Sequence, residues 1–413
     1  MIGIINRFIG DHDQPILYQL ATVTYGTACA PYLATKTLEQ LCFDEGERFP
    51  LASKAGIDLY MDDLLSGANT VEEALVLQKE FIDMMISGGF ELHKWASNHP
   101  DLLKSVPNTD SEKVAFFEEE RTTKALGLTW QPLNDSILTK LHNIRFHSGP
   151  ATKRSVYSDI AKLYDPLGLL GPLVFAAKIQ LQKLWQLHLD WDELLNDQDA
   201  KEWRVFRTQL EQMGEIAIPR CVFPNANPKL MELHGFCDAS ELGYGACIYM
   251  RSIDDDGHKH TTLLTSKSRI APLKNVKPTI PRLELCGAAI LARLIYNTAN
   301  TLNIPFSRII LWCDSTTTLP WIKTEPAKLK TFVCNRLIEI QELTRSMEWR
   351  YVRAHDNPAD KISRGLLPSE IRSCSLWYPH SYRKMIHFGL SNYKIYQRTN
   401  YPKLKPLHLT WHS

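Results

Sequence analysis

A chain of 413 residues is longer than one usual domain, so we expect two or three domains, each with its own core. Apolar residues make up 44% of the chain and charged residues 23%, which is typical of a folded protein and excludes a largely disordered one. The formal net charge of +1 excludes a strongly basic or acidic chain, and no apolar run reaches the roughly 18 residues that a membrane span needs.

The nine cysteines lie far apart, mostly in apolar segments, with no CxxC pair and no zinc-like spacing to histidine. This pattern is typical of reduced core thiols, and the start MIGIINRFIGDHDQ has no signal-peptide pattern. We therefore expect a cytoplasmic or nuclear protein that does not enter a membrane. From Met347 onward, eleven Lys and Arg stand against four Asp and Glu, which weakly indicates a polyanionic partner and is more often typical of a solvated tail.

The first third of the chain predicts helices around one hairpin. Residues 35–42 look helical, and IDLYMDDLLSG (57–67) reads as strand, turn and strand. The segment 71–85 places its apolar residues on one helical face, and Gly88-Gly89 ends this helix. The following FELHKW (90–95) reads as a strand.

The middle of the chain predicts a boundary followed by helices. VPNTDS, WQPLNDS and the acidic run EEE at 118–120 indicate the boundary and short β elements. A helical region follows from Lys153 to about Gln212, and Pro219 to Pro228 reads as a linker.

The last third predicts a compact α/β unit. MELHGFCDAS, ELGYGACIYM and TTLLTSKSRI read as three strands, and PRLELCGAAILARLIYNTANTL reads as a helix opened by Pro281. RIILWCDSTTT, LKTFVCNRLIEIQELTRS, MEWRYVRA and NPADKISRG then alternate as strand, helix, strand and helix. The predicted order is β-β-β-α-β-α-β-α, and the predicted class of the whole chain is mixed α/β and α+β with several domains.

Four acids occupy special places in this order. Asp238 lies in the first strand, Glu284 in the first turn of the first helix, Asp314 at the end of the fourth strand and Asp360 at the start of the last helix. Strand ends and helix starts converge in such a sheet, so we expect the four carboxylates to share one cavity. They would repel one another unless divalent cations bound them, and Mg²⁺ or Mn²⁺ suits such oxygen ligands. Taken singly, each acid has a plainer interpretation as a turn or cap residue.

These residues and their order resemble the ribonuclease H domain of retroelements, in which an Asp-Glu-Asp-Asp set binds two metal ions. FCDASELGYGACIY, PRLELCGA, WCDSTTTLPWI and NPADKISRG are similar, more narrowly, to the Bel/Pao class of long-terminal-repeat retrotransposons. YMDDLLSGANTVEEALVLQKEF, GGFELHKWASN and YSDIAKLYDPLGLLGP are similar to that class's reverse transcriptase palm, primer grip and thumb-like segment. The resemblance spans about residues 14–377.

The resemblance assigns a polymerase origin to the paired aspartates of the first third. Tyr60, Asp62 and Asp63 match the YxDD turn, whose carboxylates hold metal ions in such polymerases; without this context they read as a solvated turn. The polymerase also needs an aspartate on an earlier strand, and Asp11 and Asp13 do not replace it. We expect the fingers and first palm strand to be absent, and we expect no RNA-directed DNA polymerase activity from this chain alone.

The resemblance also suggests roles within the ribonuclease H region. It implies two-metal hydrolysis of RNA in RNA–DNA hybrids, in which Asp238 bridges both ions, Glu284 and Asp314 complete one site, and Asp360 holds the other. His355 lies where many ribonucleases H carry a mobile histidine, although a surface histidine without this role is the commoner case. The family nomenclature includes the label peptidase, but the chain contains no Asp-Thr-Gly or Asp-Ser-Gly sequence to support proteolysis.

The resulting expectation is a retroelement polyprotein fragment with four parts. Residues 1–105 form a partial palm, 106–228 a thumb or connection, 229–366 a ribonuclease H-like domain and 367–413 a basic tail. Expected partners are RNA–DNA hybrid or other nucleic acid and the remaining segments of the polyprotein. The alternative is a decayed or co-opted protein that binds nucleic acid without catalysis. A phosphotransferase is disfavoured because the chain has no P-loop sequence.

Overall fold

The computed structural model describes residues 3–6, 16–19, 23, 26–56, 59–60, 63–106, 122–139, 141, 144–222, 228–273 and 278–378. It has the predicted mixed class, with several helices and sheets. The chain divides into two compact units. Unit 1 comprises Met1–Lys140 with Glu215–Cys221, and unit 2 comprises Leu141–Gly214 with Val222–Ser413. The four-part division drawn from the sequence stays a prediction.

Unit 1 combines short helices with small antiparallel sheets. Its helices are α1 (Ala30–Asp44), α2 (Pro50–Ala55), α3 (Val71–Ser87) and α4 (Pro100–Lys104). Its strands are β1 (Gly3–Asn6), β2 (Ile16–Gln19), β3 (Leu59–Tyr60), β4 (Asp63–Leu64), β5 (Thr123–Ala125), β6 (Leu128–Gln131), β7 (Ser136–Thr139) and β8 (Ile216–Pro219). Strands β1 and β2 pair, β3 and β4 pair, and β5 to β8 form a four-stranded sheet.

Helix α3 shows why the local predictions for unit 1 hold. The Thr70 side chain accepts a hydrogen bond from the Glu73 backbone N–H and thereby caps the first turn. Gly88 ends the helix, as predicted, and the buried side chains of Phe81 and Met84 pack in the same core as Cys42. The helix therefore follows from its cap, its stop and its apolar face.

The strand predicted for FELHKW is wrong. Residues 90–97 lie in neither a helix nor a strand in the described part of the chain, although Phe90 and Leu92 pack against the unit 1 core. Lys94 has a φ of 58°, in the left-handed region, which interrupts the extended backbone that a strand requires. The alternation of apolar and polar residues thus correctly predicts that Phe90 and Leu92 pack against the core, but it wrongly predicts that the segment pairs as a strand.

Unit 2 contains helices on a five-stranded sheet. The helices are α5 (Lys153–Ala161), α6 (Gly171–Gln186), α7 (Asp197–Gln212), α8 (Ile280–Leu302), α9 (Thr318–Ile322), α10 (Thr331–Leu343), α11 (Ala359–Arg364) and α12 (Pro368–Ile371). The strands are β9 (Leu230–Ala239), β10 (Gly243–Ile253), β11 (Lys259–Ile270), β12 (Arg308–Cys313) and β13 (Glu348–Tyr351). None of the helices within the described ranges is both long enough and apolar enough to span a membrane.

The five-stranded sheet has the order β11-β10-β9-β12-β13. Strands β9, β10 and β11 are antiparallel neighbours, whereas β12 runs parallel to both β9 and β13. Helix α8 packs against the sheet, and its buried Leu285 and Leu291 lie in one core with Leu233, Leu311 and Leu337. Because β9 and β12 are parallel neighbours, their carboxyl ends meet at the same edge of the sheet.

Two segments outside the predicted ribonuclease H boundaries also pack against this sheet. In the loop between α5 and α6, the Leu167 carbonyl accepts hydrogen bonds from Ser266 N–H (3.0 Å) and from the Thr265 hydroxyl (2.8 Å) on β11. At the other end of unit 2, Trp377 is fully buried and donates from Nε1 to the Leu169 carbonyl at 2.9 Å. The predicted tail of 367–413 therefore begins with a packed segment; residues 379–413 lie outside the described part.

Candidate active site

Two of the four predicted acids meet at the carboxyl ends of parallel neighbours. Cys237 on β9 pairs in register with Cys313 on β12; Asp238 is the next residue along β9, and Asp314 directly follows the end of β12. Asp238 is only 7% exposed, and Asp314 is half-buried. The parallel pairing places these two carboxylates side by side.

Glu284 reaches the same region from helix α8. The Ser315 hydroxyl, one residue beyond Asp314, donates a hydrogen bond of 2.6 Å to Glu284 Oε2. Ser315 Oγ in turn accepts from the Thr318 backbone N–H at 2.9 Å, which ties Glu284 to the start of α9. Glu284 was predicted in the first turn of this helix, and that prediction is wrong. Helix α8 begins at Ile280, so its first turn ends before Glu284.

Asp360 is held by two cations at the start of α11. Arg364 Nε donates to Asp360 Oδ1 at 2.6 Å, and Lys361 Nζ donates to Oδ2 at 3.1 Å. Its side chain is 23% exposed, so this carboxylate lies at the rim of the site. Asp360 therefore differs from the other three acids in having its charge already balanced by basic neighbours.

The carboxylates are coupled through their charges. Burial and the charge of Asp314 raise the pKa of Asp238 to about 7, and Asp360 adds to the effect. Burial and the charge of Glu284 raise the pKa of Asp314, while burial and the charge of Asp238 raise the pKa of Glu284. The charge of another member of the set thus raises the pKa of Asp238, Asp314 and Glu284, and the charge of Asp360 acts on Asp238, which places the four acids in one electrostatic neighbourhood.

Two buried polar residues support this arrangement and were not predicted from the sequence. Ser363, fully buried on α11, donates a hydrogen bond to Asp238 Oδ2. Asn357, also fully buried, donates from Nδ2 to the Cys237 carbonyl at 2.9 Å and hydrogen-bonds Asp314. Their one sequence signal is their position in NPADKISRG, three residues on either side of Asp360.

The donor set suits hard divalent cations. Carboxylate oxygens are the ligands that Mg²⁺ and Mn²⁺ prefer, and the raised pKa values show that the protein leaves negative charge in this cluster unbalanced. Within the described ranges, however, no three of these four acids bring their ligand atoms within 4.8 Å of one another. The acids therefore fit a cation site by their chemistry and position, and binding requires them to approach further.

The structure does not join His355 to this cluster. His355 lies in a short 3₁₀ turn (Ala354–Asp356), and its side chain is 72% exposed. Its Nε2 lies 3.3 Å from Asp356 Oδ2, and no hydrogen bond or ion pair within the described residues connects it to the four acids. Its proposed role in product release stays a prediction.

The polymerase-like turn is described only in part. Tyr60 on β3 pairs with Asp63 on β4, as the strand-turn-strand interpretation predicts. Tyr60 is 60% exposed, and Asp63 is half-buried. Asp62 lies outside the described residues. The same is true of Asp11, Asp13 and the acidic run at 118–120. The metal-binding role of Asp62 and Asp63 therefore stays a prediction.

A family comparison identifies a segment that lies mostly in unit 2. Residues 152–315 match the family model described as the Pao retrotransposon-like RNaseH-like domain. The matched segment begins at the Thr152 cap of α5 and includes Asp238, Glu284 and Asp314 but not Asp360. No curated protein matches the sequence.

Solved structures give weaker likenesses. RNase H1 from the halophilic archaeon Halobacterium salinarum NRC-1 is 12% identical over 31% of this chain and 89% of that chain, with a TM-score of 0.21. The foamy viral protease-reverse transcriptase in complex with dsDNA is 13% identical over 80% of this chain and 60% of that chain, with a TM-score of 0.44. In complex with RNA/DNA hybrid it is 15% identical over 80% of this chain and 39% of that chain, with a TM-score of 0.43.

The family match covers α5, α6, α7, β8, the three antiparallel strands β9 to β11, α8 and β12. Residues 152–315 of this chain thus match the Pao retrotransposon-like RNaseH-like domain, which confirms the resemblance to Bel/Pao retroelement polyproteins that the motifs indicated.

Proposed function

We propose that unit 2 is a ribonuclease H that hydrolyses the RNA strand of RNA–DNA hybrids with divalent cations. The observation that carries the proposal is the meeting of Asp238 and Asp314 at the ends of parallel strands, with Glu284 tethered beside them through Ser315. The family match of residues 152–315 supports the same reaction class. We further propose that unit 1 derives from a reverse transcriptase palm and that 106–228 includes its thumb or connection.

The four acids would hold two Mg²⁺ or Mn²⁺ ions, as their ligand chemistry allows. Bound ions of this kind supply activation of the attacking water and stabilisation of the leaving 3′ oxygen. The protein's own contribution is positioning. Ser363 fixes the orientation of the Asp238 carboxylate, and Ser315 fixes that of Glu284. Asn357 links β9 to the residue that follows β12, so that the two central aspartates keep their spacing.

Substrate recognition should depend on the nucleic-acid backbone. Phosphate contacts and 2′-hydroxyl contacts give little base specificity, and they suit an enzyme that must act along any hybrid. We propose that the protein works in the cytoplasm or nucleus, together with the remaining segments of a retroelement polyprotein. The nine cysteines lie far apart with no CxxC pair, a pattern typical of the reduced thiols of such compartments.

The test is cleavage of a labelled RNA–DNA hybrid by the full chain in Mg²⁺ or Mn²⁺. Asp238→Asn should abolish cleavage and leave the circular dichroism spectrum unchanged, because the amide keeps the shape of the side chain but not its charge. Asp83→Asn, at an exposed position on α3, is the matched control and should retain full activity. Cleavage that survives Asp238→Asn or an excess of chelator would disprove the proposal.

Binding separates this proposal from the rival reading of a nucleic-acid-binding protein without catalysis. If backbone phosphates dominate, hybrid affinity should fall by about tenfold or more between low and physiological salt. A chain that shows this salt dependence yet never cuts hybrid in either metal supports the non-enzymatic reading. If the affinity for hybrid does not change with salt concentration, phosphate contacts are not the basis of binding.

A further inference from the structure

The hairpin between β10 and β11 carries metal ligands that the proposed ribonuclease H site does not use. Two carboxylates and two imidazoles occupy alternate positions around it, in the order Asp254, Asp256, His258 and His260. Within the described ranges, Asp254, Asp256 and His258 are the group of three or more whose ligand atoms all lie within 4.8 Å of one another.

The distances within the hairpin are those of ligands around one ion. His258 Nδ1 lies 3.2 Å from Asp254 Oδ2, and His260 Nε2 lies 3.8 Å from the same oxygen. Two ligand atoms that bind a tetrahedral zinc ion at about 2.1 Å are roughly 3.4 Å apart. The two observed separations lie on either side of that value, and they bring two imidazoles from the β11 side of the turn to one carboxylate oxygen on the β10 side.

The backbone already fixes the central ligand. Asp254 is 7% exposed, and its backbone N–H donates to the His258 carbonyl at 3.0 Å. Its Oδ1 accepts from the His258 backbone N–H at 2.7 Å, which leaves Oδ2 directed toward the two imidazoles. Ligation at Oδ2 would therefore require little rearrangement of the hairpin backbone.

Closure of the turn accounts for only part of this arrangement. Closing the turn requires the Asp254 carboxylate and the His258 backbone. It does not require the imidazole of His258 or of His260, or the carboxylate of Asp256. A set of carboxylates alone would favour Mg²⁺ or Ca²⁺, whereas imidazole nitrogen selects zinc and its first-row neighbours. The chemistry therefore differs from that of the four acids.

We propose that Asp254, Asp256, His258 and His260 bind one Zn²⁺ or similar first-row transition-metal ion. This site is separate from the ribonuclease H acids, because Gly245 lies opposite Asp238 and Asp254 lies nine residues further along. At about 3.3 Å per residue this is roughly 30 Å along the sheet. The bound ion would fasten the ends of the two longest strands of the sheet, β10 and β11.

The test is a Zn²⁺ titration of the metal-free full chain against a chromogenic chelator, with Co²⁺ absorption as a second readout. The wild type should bind one equivalent outside the acid cluster, with the intense visible absorption that a tetrahedral, four-coordinate Co²⁺ ion gives. His258→Ala and His260→Ala should each weaken this equivalent by about tenfold or more, since each removes a ligand. Asp254 is left intact because it also closes the turn.

The matched controls locate the ion. His93→Ala, at an exposed imidazole in unit 1, should leave Zn²⁺ affinity unchanged, and Asp238→Asn should leave the hairpin equivalent in place. Both hairpin variants should keep the circular dichroism spectrum of the wild type. The proposal is overturned if His258→Ala and His260→Ala bind Zn²⁺ as tightly as the wild type, or if Asp238→Asn abolishes the bound equivalent.

Discussion

The hydroxyl of Ser363 on α11 donates a hydrogen bond to the carboxylate of Asp238 on β9, across 125 residues of sequence. The same hydroxyl lies 3.2 Å from the carbonyl oxygen of Asp360. Ser363 therefore connects the acid at the centre of the sheet with the helix turn that carries the acid at the rim. Because Ser363 is fully buried, this hydrogen bond has no competition from solvent.

The first prediction follows from this contact. Ser363→Ala should lower hybrid cleavage and weaken Mn²⁺ binding by about 10- to 100-fold, as removal of a group that orients a metal ligand commonly does. Cleavage rates and Mn²⁺ titrations of the full chain measure the two effects. Ser369→Ala removes an exposed serine hydroxyl and should change neither quantity. Unchanged Mn²⁺ binding in Ser363→Ala would show that the hydrogen bond does not position Asp238.

The second prediction concerns pH. Asp238 has a pKa of about 7 in the folded protein and near 3.8 in an unfolded chain, so the folded state binds this proton more tightly. The resulting stabilisation is fully present below pH 3.8 and is lost as the pH rises through about 7. In chelator, the free energy of unfolding should therefore decline over this range.

Asp238→Asn isolates this contribution, because the amide stays neutral at every pH. In urea unfolding at pH 8 with chelator, the variant should be more stable than the wild type by about 2–4 kcal/mol. At pH 3.5 the difference should vanish, and Mg²⁺ at pH 8 should reduce it by stabilising the wild type. Asp83→Asn, at an exposed position on α3, is the control for the substitution itself. If the wild type and Asp238→Asn have the same free energy of unfolding at pH 8 in chelator, the pKa of Asp238 is not raised.

The elements that could be predicted from the sequence are those set by local chemistry. Helix α3 follows from its apolar face and Gly88, and the placement of Asp238 and Asp314 at neighbouring strand ends follows from the strand order. The FELHKW strand was mispredicted because alternation indicates burial of side chains but does not provide a pairing partner. In addition, the left-handed backbone conformation at Lys94 interrupts the extended conformation that a strand requires.

The contacts that could not be predicted join residues far apart in the chain. Ser363 reaches Asp238 over 125 positions, and Trp377 reaches Leu169 over 208 positions. No local pattern marks such pairs, because a buried serine or tryptophan has the same flanking residues whether its partner is near or distant. For the same reason no sequence pattern indicated that residues 164–172 and 367–378 pack against the five-stranded sheet of unit 2.

The third prediction tests the loop that covers β11. Gly168 has a φ of +72°, and a Cβ there would lie 2.0 Å from the Ser266 carbonyl oxygen. Gly168→Ala should therefore lower the free energy of unfolding by about 3 kcal/mol or more, since both backbone strain and a backbone clash oppose it. Gly257→Ala has the same backbone strain, with φ +81°, but no atom within 4 Å of the added methyl.

Comparison of the two glycine variants separates clash from strain. Gly257→Ala should cost only about 1 kcal/mol in urea unfolding with chelator present. Equal losses for the two variants would mean that the loop moves away from β11 without penalty, and that Leu167 and Gly168 do not hold it there.

The last prediction concerns Trp377, which lies beyond the predicted ribonuclease H boundary at 366. Its ring is fully buried, its Nε1 donates to the Leu169 carbonyl at 2.9 Å, and its own carbonyl accepts from the Tyr249 hydroxyl at 3.0 Å. The ring thus joins the centre of β10 to the loop before α6. Trp377→Ala in the full chain should lower the free energy of unfolding by about 3–5 kcal/mol, because it opens a large cavity against Tyr249.

Trp377→Phe separates the contribution of buried apolar contact from that of the hydrogen bond to Leu169. The phenyl ring retains most of the buried apolar contact but cannot donate to Leu169, so the loss should be about 1–2 kcal/mol. Urea unfolding monitored by circular dichroism measures both variants. If Trp377→Ala unfolds at the same urea concentration as the wild type, residues 367–378 do not belong to the folded unit and the boundary at 366 is correct. The expected large loss would instead extend the ribonuclease H unit to at least residue 378, because the sheet would then depend on a side chain that the shorter segment omits.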